Sequence, residues 1–284
     1  MWAVRCDASG NALWDRSYLP TLMDFFWAFN LEPTRDGGYL ACGSGAPNDR
    51  SAMYYGIVKF DDQGQQLWTK AIGGLLNWPG AWRIRETSDG GFIVAGSAAD
   101  PPRGDKTSPY FGGLATDNTY LGSDFWVCRV DAQQNKLWDK SYGGTGSEQA
   151  YDLHPLPDGG FMIFGSSQSL PESMTHMGTK TSPRYGFQDF WVVRIDAQGN
   201  QLWDKSYGGS RDDILTHAEP MPDGGWLLCG QSDSLPGGNK TSPRFDPPNT
   251  FNLGDFWIVR IDDQGDKLWD QSFGGSALEG KPIR

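Results

Sequence analysis

The chain has 284 residues, 35 acidic against 24 basic for a formal net charge of -11, with 38 glycines, 13 tryptophans and only three histidines. Such acidity, with no long run of lysine and arginine, opposes binding to a phosphate backbone or an anionic membrane surface, so no nucleic acid partner is expected. No apolar stretch approaches the roughly 20 residues that span a bilayer, so no membrane insertion is expected, and three histidines leave few candidates for acid–base catalysis.

The chain opens on MWAVRCDASGNALWDRSY and repeats the phrase as YGIVKFDDQGQQLWTKAIGG, FWVCRVDAQQNKLWDKSYGG, FWVVRIDAQGNQLWDKSYGG and FWIVRIDDQGDKLWDQSFGG. In each copy an Asp precedes a Trp by seven residues (Asp7 and Trp14, Asp61 and Trp68, Asp131 and Trp138, Asp196 and Trp203, Asp262 and Trp269), and successive copies lie 54, 70, 65 and 66 residues apart. Periods of this size mark stacked or circular units, none able to bury its apolar face alone. Between the copies stand DGGYLACGS from Asp36, DGGFIVAGS from Asp89, DGGFMIFGS from Asp158 and DGGWLLCGQ from Asp223, each a Gly-Gly turn leading into a strand. An alternating segment precedes each, such as Trp82-Arg83-Ile84-Arg85 or Tyr151-Asp152-Leu153-His154, and its period of two marks a further strand with unlike faces.

Four strands per unit predict an all-β fold, a β-propeller of four-stranded antiparallel blades. A parallel β-helix is the runner-up and would need shorter coils. One domain over 1–284 is expected, with a half blade at 2–18, blades at about 27–72, 81–142, 150–207 and 214–273, and a tail at 276–284. That tail could complete a composite fifth blade with residues 2–18. The favoured reading is a piece of a longer array, because Met1 stands where Phe125, Phe190 and Phe256 stand in other copies. Nine tryptophans fall at two fixed positions (Trp2, Trp126, Trp191 and Trp257; Trp14, Trp68, Trp138, Trp203 and Trp269) and are expected to pack blades; Trp78 is expected to be exposed. Cys6, Cys42, Cys128 and Cys229 align with Phe60, Ala95, Val193 and Phe164, which predicts four buried thiols and no disulfide.

The combination FWVVRIDAQGNQLWDKSYGG, PDGGWLLCG and GNKTSP resembles the propeller-type repeats found in tandem in large secreted or surface proteins of Bacteroidetes and related bacteria, often beside a type IX secretion sorting domain. The Asp-to-Trp element is similar to the tryptophan-docking motif of quinoprotein-like propellers, where the Trp braces neighbouring blades. The resemblance covers nearly the whole chain. It implies a secreted or cell-surface location and a binding or scaffolding role, with further repeats or domains in a longer parent chain.

Candidate sites lie in two places. Insertions join second to third strands at Ser97 to Asp124, Ser166 to Asp189 and Gln231 to Asp255, against a short Ser44 to Tyr54 in the first blade. Each long insertion holds one phrase: Gly104-Asp105-Lys106-Thr107-Ser108-Pro109, Gly178-Thr179-Lys180-Thr181-Ser182-Pro183 and Gly238-Asn239-Lys240-Thr241-Ser242-Pro243. Aromatics follow (Tyr110, Phe111, Tyr185, Phe245), with Arg184 and Arg244. Read functionally, Lys106, Lys180, Lys240, the arginines, these aromatics and Trp78 form a face of donors and rigid rings for a glycan or protein. Read structurally, the loop repeats because its hydroxyls satisfy its own backbone. It is not a phosphate-binding loop, which needs Gly directly before Lys and a helix after it.

The second constellation lines the expected channel: Asn30 and Glu32, Arg83 and Arg85, Asp152 and His154, His217 and Glu219. Mutual neutralisation is the simpler reading; the catalytic one pairs His154 or His217 with a carboxylate. Glu148, Asp212 and Asp213 offer oxygen ligands suited to calcium, yet residues 74–80 carry no carboxylate, so equivalent sites do not repeat. No other cofactor and no metal is expected. The sequence thus predicts a non-enzymatic propeller that binds a glycan or protein at its loop face; the alternatives are a purely structural spacer and, third, a hydrolase or quinoprotein-like enzyme.

Overall fold

The computed structural model describes residues 1–75, 77, 79–114, 120–175, 177–245 and 254–275. The architecture is all-β. A hairpin of β1 (Trp2–Cys6) and β2 (Ala12–Ser17) comes first. A four-stranded sheet follows: β3 (Phe25–Pro33), β4 (Tyr39–Ala46), β5 (Met53–Phe60) and β6 (Gln66–Leu75). The next begins with β7 (Gly80–Glu86) and β8 (Phe92–Ala98). Its insertion carries a small ladder, β9 (Gly113–Leu114) with β10 (Tyr120–Leu121), before β11 (Asp124–Val130) and β12 (Lys136–Tyr142) complete it. Then come β13 (Glu148–Pro155), β14 (Phe161–Ser167), the one-turn α1 (Glu172–Thr175), β15 (Asp189–Ile195) and β16 (Gln201–Tyr207). The last sheet is β17 (Asp213–Pro220), β18 (Trp226–Ser232), β19 (Asp255–Ile261) and β20 (Lys267–Phe273). Each four-stranded sheet runs in chain order, as expected for a meander.

The chain divides into two compact units, residues 1–110 with 125–141, and residues 111–124 with 142–284. In the first, Cys42, Tyr55, Ile57, Ile84, Val94 and Trp126 belong to one buried cluster, so the sheets β3 to β6 and β7 to β12 share a core. In the second, Phe164, Phe190, Val192, Leu228, Trp257 and Val259 do the same for the last two sheets. Full burial of each such side chain contributes about 1.5–3 kcal/mol.

The recurring residues explain the turns. Asp36, Asp89 and Asp158 each accept a hydrogen bond from the amide two residues on, at 3.1, 3.2 and 3.0 Å. The middle Gly has positive φ (+85° at Gly37), and at Gly38 a Cβ would lie 2.5 Å from the Phe60 carbonyl oxygen, so neither glycine tolerates a side chain. The same Asp pairs with the cation of the third strand: Asp36 with Lys59, Asp89 with Arg129, Asp158 with Arg194 and Asp223 with Arg260. The Asp of the Asp-to-Trp element caps its own turn, Asp196 Oδ1 accepting from the amides of Gln198 and Asn200 at 2.9 and 2.8 Å.

Adjacent sheets are braced at that turn. Trp14 donates from Nε1 to the Asp62 carbonyl at 2.9 Å and lies against Gly64, whose carbonyl accepts from the Tyr18 hydroxyl at 2.8 Å. Tyr207 donates to Gly265 at 2.6 Å, and Trp203 lies against the same glycine.

Two expectations need correction. Trp2 and Trp269 are 67% and 48% exposed rather than packed, because among the described residues β1 has no second-strand neighbour and no sheet follows β20. Cys6 is exposed and Cys229 half-buried; only Cys42 and Cys128 are buried, although all four are free thiols. Trp78 and the tail 276–284 lie outside the described residues.

Candidate functional site

Every residue of the repeated loop phrase has a job in holding sheets together. The leading glycines, Gly104, Gly178 and Gly238, have φ of +58°, +98° and +59°, and a Cβ there would strike the carbonyl of Gly73, Gly143 or Gly208 at the end of the preceding sheet. The next side chain accepts from that same glycine's amide: Asp105 from Gly73 at 3.0 Å, Thr179 from Gly143 at 3.2 Å, Asn239 from Gly208 at 2.9 Å. Thr and Ser then clamp an aspartate on the fourth strand of their own sheet. Asp204 accepts from the amides of Thr181 and Ser182 at 3.0 and 2.9 Å, from both hydroxyls, and from Trp191 Nε1 at 2.8 Å. Asp139 receives the amides of Thr107 and Ser108, the Thr107 hydroxyl and Trp126, and Asp270 receives the amides of Thr241 and Ser242, the Thr241 hydroxyl and Trp257. Although burial pushes the Asp204 carboxyl up, the Ser182, Thr181 and Trp191 bonds hold it below its ordinary range.

The lysines correct the expected exposed donors. Lys106, Lys180 and Lys240 are buried; Lys180 donates to the carbonyls of Ser182 and Pro183 at 2.7 and 3.1 Å and to the hydroxyls of Ser182 and Ser206 at 3.0 and 2.9 Å. Lys106 binds Ser108, Pro109 and Ser141 alike, and Lys240 binds Ser242, Pro243 and Ser272. Burial lowers Lys180 to about 8. These amines hold loop to strand.

Around the staple sit buried carboxylates. Asp124, Asp189 and Asp255 accept from the amides of Phe111, Tyr185 and Phe245 at 2.8, 2.7 and 2.7 Å. That equivalence aligns Phe111, not Tyr110, with Tyr185 and Phe245. Desolvation raises Asp189 to about 6 and Asp213 to about 7, and raises Glu148 as well. Glu148 accepts from Gly144, Ser167 and Ser169 at 3.0, 2.8 and 2.7 Å, and Asp213 from Gly209 and Ser234 at 2.7 and 2.9 Å. Glu148 and Asp213, two of the three carboxylates weighed for calcium, therefore face inward as acceptors for loop donors. Asp212, partly buried, is also pushed up by desolvation. Among the described residues no group of three or more His, Cys, Asp or Glu side chains is arranged to hold a metal ion.

What the staple leaves at the surface is aromatic and polar. Phe245 is 45% exposed, Arg184 is exposed, and Tyr110, Phe111 and Tyr185 are half-buried. Arg184 donates to the Gln168 carbonyl at 2.9 Å, whereas Arg244 is drawn to Asp233 at 2.6 Å. A cleft of about 340 Å³ in the second unit is lined by Ser182, Tyr185, Lys205, Asn239, Asp266 and Lys267, among others.

The first-strand residues fall at equivalent register positions. All four first strands carry a bulge, between Ala28 and Asn30, Ala81 and Arg83, Ala150 and Asp152, and Leu215 and His217. Asn30, Arg83, Asp152 and His217 thus occupy one equivalent position, and Glu32, Arg85, His154 and Glu219 the other. In the first unit Arg85 pairs with Glu32, and Asn30 accepts from the Ile84 amide at 3.1 Å. In the second, the fully buried Asp152 faces His217 Nδ1 at 2.8 Å and His154 Nε2 at 3.4 Å, and Glu219 lies 3.4 Å from His217 Nε2. Asp152 also accepts from the amides of Leu153 and Ala218 at 2.8 and 3.1 Å, so it ties neighbouring first strands together.

No family model matches the chain. The regulatory protein FlaEY of Caulobacter vibrioides is 27% identical over 122 residues, 43% of this chain. The match spans 13% of that relative's length.

Proposed function

We propose that the four sheets are blades of a β-propeller and that the molecule is a non-enzymatic binding module of a secreted or cell-surface protein, holding a glycan or a protein segment at its loop face. The observation that carries this reading is the cleft beside Tyr185, where an aromatic ring and the polar side chains of Lys205, Asn239, Asp266 and Lys267 converge on a space of about 340 Å³. A half-buried ring with donors and acceptors around it suits a sugar face or a peptide side chain. The repeated contact between a fourth strand and the next turn supports the blade reading. The histidine–aspartate cluster is read as a tie between strands, since Asp152 spends its oxygens on two amides and two imidazoles.

The test is a melting-temperature survey against a glycan and peptide panel, since any ligand that prefers the folded state raises it. A rise that disappears on Tyr185→Ala supports binding at this cleft. No rise with any compound favours the structural spacer, and a turnover lost on His217→Ala with folding intact would favour an enzyme.

A further inference from the structure

Glu148 and Asp213 hold the same place in the last two sheets. Each opens a first strand, is fully buried, and accepts an amide from the connection before it, Gly144 at 3.0 Å and Gly209 at 2.7 Å. Each also faces a third-strand aspartate across a glycine. A Cβ at Gly143 would lie 2.4 Å from Asp124 Oδ1 and 2.4 Å from Glu148 Oε2; one at Gly208 would lie 2.2 Å from Asp189 Oδ1 and 2.8 Å from Asp213 Oδ2.

The two carboxyls differ in their donors. Glu148 has one for each oxygen, the Gly144 amide on Oε2 and the Ser167 and Ser169 hydroxyls on Oε1. Asp213, one methylene shorter, takes the Gly209 amide and the Ser234 hydroxyl on Oδ2 alone. Its Oδ1 is buried with no donor at hydrogen-bonding distance among the described residues; the Ser232 hydroxyl, cross-strand partner as Ser167 is of Glu148, falls outside that range. The surrounding cations are shared. Lys180 and Arg184 act on Asp189, which also acts on the Tyr185 hydroxyl, and Lys240 divides its charge among Asp213, Asp270 and Asp255 while its amine bonds Ser242, Pro243 and Ser272. Ionising both Asp189 and Asp213 would set a buried charged oxygen without a donor beside a like charge, and both circumstances cost free energy. Desolvation, with the Asp189 charge as a lesser cause, pushes the Asp213 carboxyl up to about 7.

We propose that Asp189 and Asp213 hold one proton between them, carried by Asp213, and that this proton latches the connection 208–212 onto the last sheet. With it in place Asp213 holds the Gly209 amide and the Ser234 hydroxyl, and Ser234 in turn takes the Arg211 amide at 2.9 Å. When it leaves, the ionised Asp213 turns to water, Gly209 and Ser234 lose their partner, and the connection opens. Burial raises Glu148 as well, yet its ionised form keeps three donors, so the connection 143–147 is an internal control. Gly208 also donates to the Asn239 side chain at 2.9 Å and accepts from its amide at 3.1 Å, and Asn239 lines the cleft beside Tyr185. Control of binding by this proton rests on the function proposed above for that cleft; the latch itself does not.

The test uses the intact chain with no ligand, so failure to find a ligand leaves it standing. Hydrogen exchange of the Gly209 and Gly144 amides is followed from about pH 6 to about pH 8.5, each rate divided by the open-chain rate at that pH. Each pH unit above the midpoint weights the ionised, open form about tenfold, so protection of Gly209 should fall by at least about tenfold and that of Gly144 by less than about threefold. The carbon-13 shift of the Asp213 carboxyl should titrate with a midpoint of about 7. In Asp213→Asn, which keeps an acceptor for Gly209 and no longer titrates, protection of Gly209 should not change with pH. A wild-type midpoint below about 5, in the ordinary carboxylate range, overturns the proposal whether or not the variant folds. Equal losses at Gly144 and Gly209 also overturn it, since the opening would then not depend on Asp213.

Discussion

The sheet β3 to β6 and the sheet β13 to β16 present the same strand order and solve one problem differently. In the later sheet a buried aspartate, Asp204, gathers donors from Trp191, Thr181 and Ser182. In the earlier one Gly56 replaces that Trp, and the Phe26 ring and Met23 side chain lie where a Cβ at position 56 would go. Thr69 and Ala71 replace the Asp and Ser, and Asp105, in the loop of the following sheet, still reaches back to Gly73. A polar staple and an apolar plug are thus interchangeable ways of closing the outer strands. Within this chain the staple is lost or kept as a whole, never in part where a loop is present.

That contrast can be broken experimentally. The largest effect is expected for Asp204→Ala, which strands two amides, two hydroxyls and an indole N–H inside the protein; about 3–5 kcal/mol of stability should be lost in denaturant unfolding. Thr69→Val at the equivalent site should cost less than about 0.5 kcal/mol. A loss at Asp204 no larger than at Thr69 would show that the staple contributes nothing.

The next effect is pH dependence in the second unit. Burial raises Asp189 to about 6 and Asp213 to about 7, so between pH 4 and 7 the folded chain binds more protons than the unfolded one. Stability from these groups is present at the acid end and is lost as pH rises through 7. Lys180, held at about 8, has the opposite sense: above pH 8 the unfolded chain keeps the proton, so stability rises toward the ordinary lysine range. Melting temperatures from pH 4 to 7 should therefore decline, and Asp213→Asn should flatten the slope; an unchanged slope would remove Asp213 from the account.

Smaller effects sharpen the comparison. Tyr207→Phe removes one buried hydroxyl bond to Gly265 and should cost about 1 kcal/mol by thermal or chemical denaturation. Asp158→Ala breaks the pair with Arg194 and the bond from the Gly160 amide, and because that carboxylate is 64% exposed about 1 kcal/mol or less is expected.

The strands, their order and the tight turns were legible because period-two alternation and Gly-Gly turns are local signals. The insertion boundaries were equally readable, since the phrase DFW marks each return to the sheet. The staple was not. Asp204 meets Trp191 thirteen residues earlier and Thr181 twenty-three residues earlier, contacts that no local period encodes. Lysine is seldom buried, so Lys106, Lys180 and Lys240 read as surface donors. A signal was nevertheless present: the Lys-Thr-Ser-Pro phrase occurs in the three units that combine a third-strand Trp with a fourth-strand Asp-x-Ser, and is missing from the one unit between strands with Gly56, Thr69 and Ala71. The equivalence of Asp152 with His217, and of His154 with Glu219, was legible by counting back from the turn, but that both histidines would converge on one carboxylate required the bulges to be seen.

The central claim is that the Lys-Thr-Ser-Pro loops are locked onto buried aspartates rather than displayed as free binding arms. Amide hydrogen exchange at Thr181 and Ser182 tests it most directly, because both amides donate to Asp204 at 3.0 and 2.9 Å. The account predicts strong protection of both in the wild-type chain and its loss in Asp204→Ala while the amides of β15 stay protected. Exchange of Thr181 and Ser182 at open-chain rates in the wild type would contradict it.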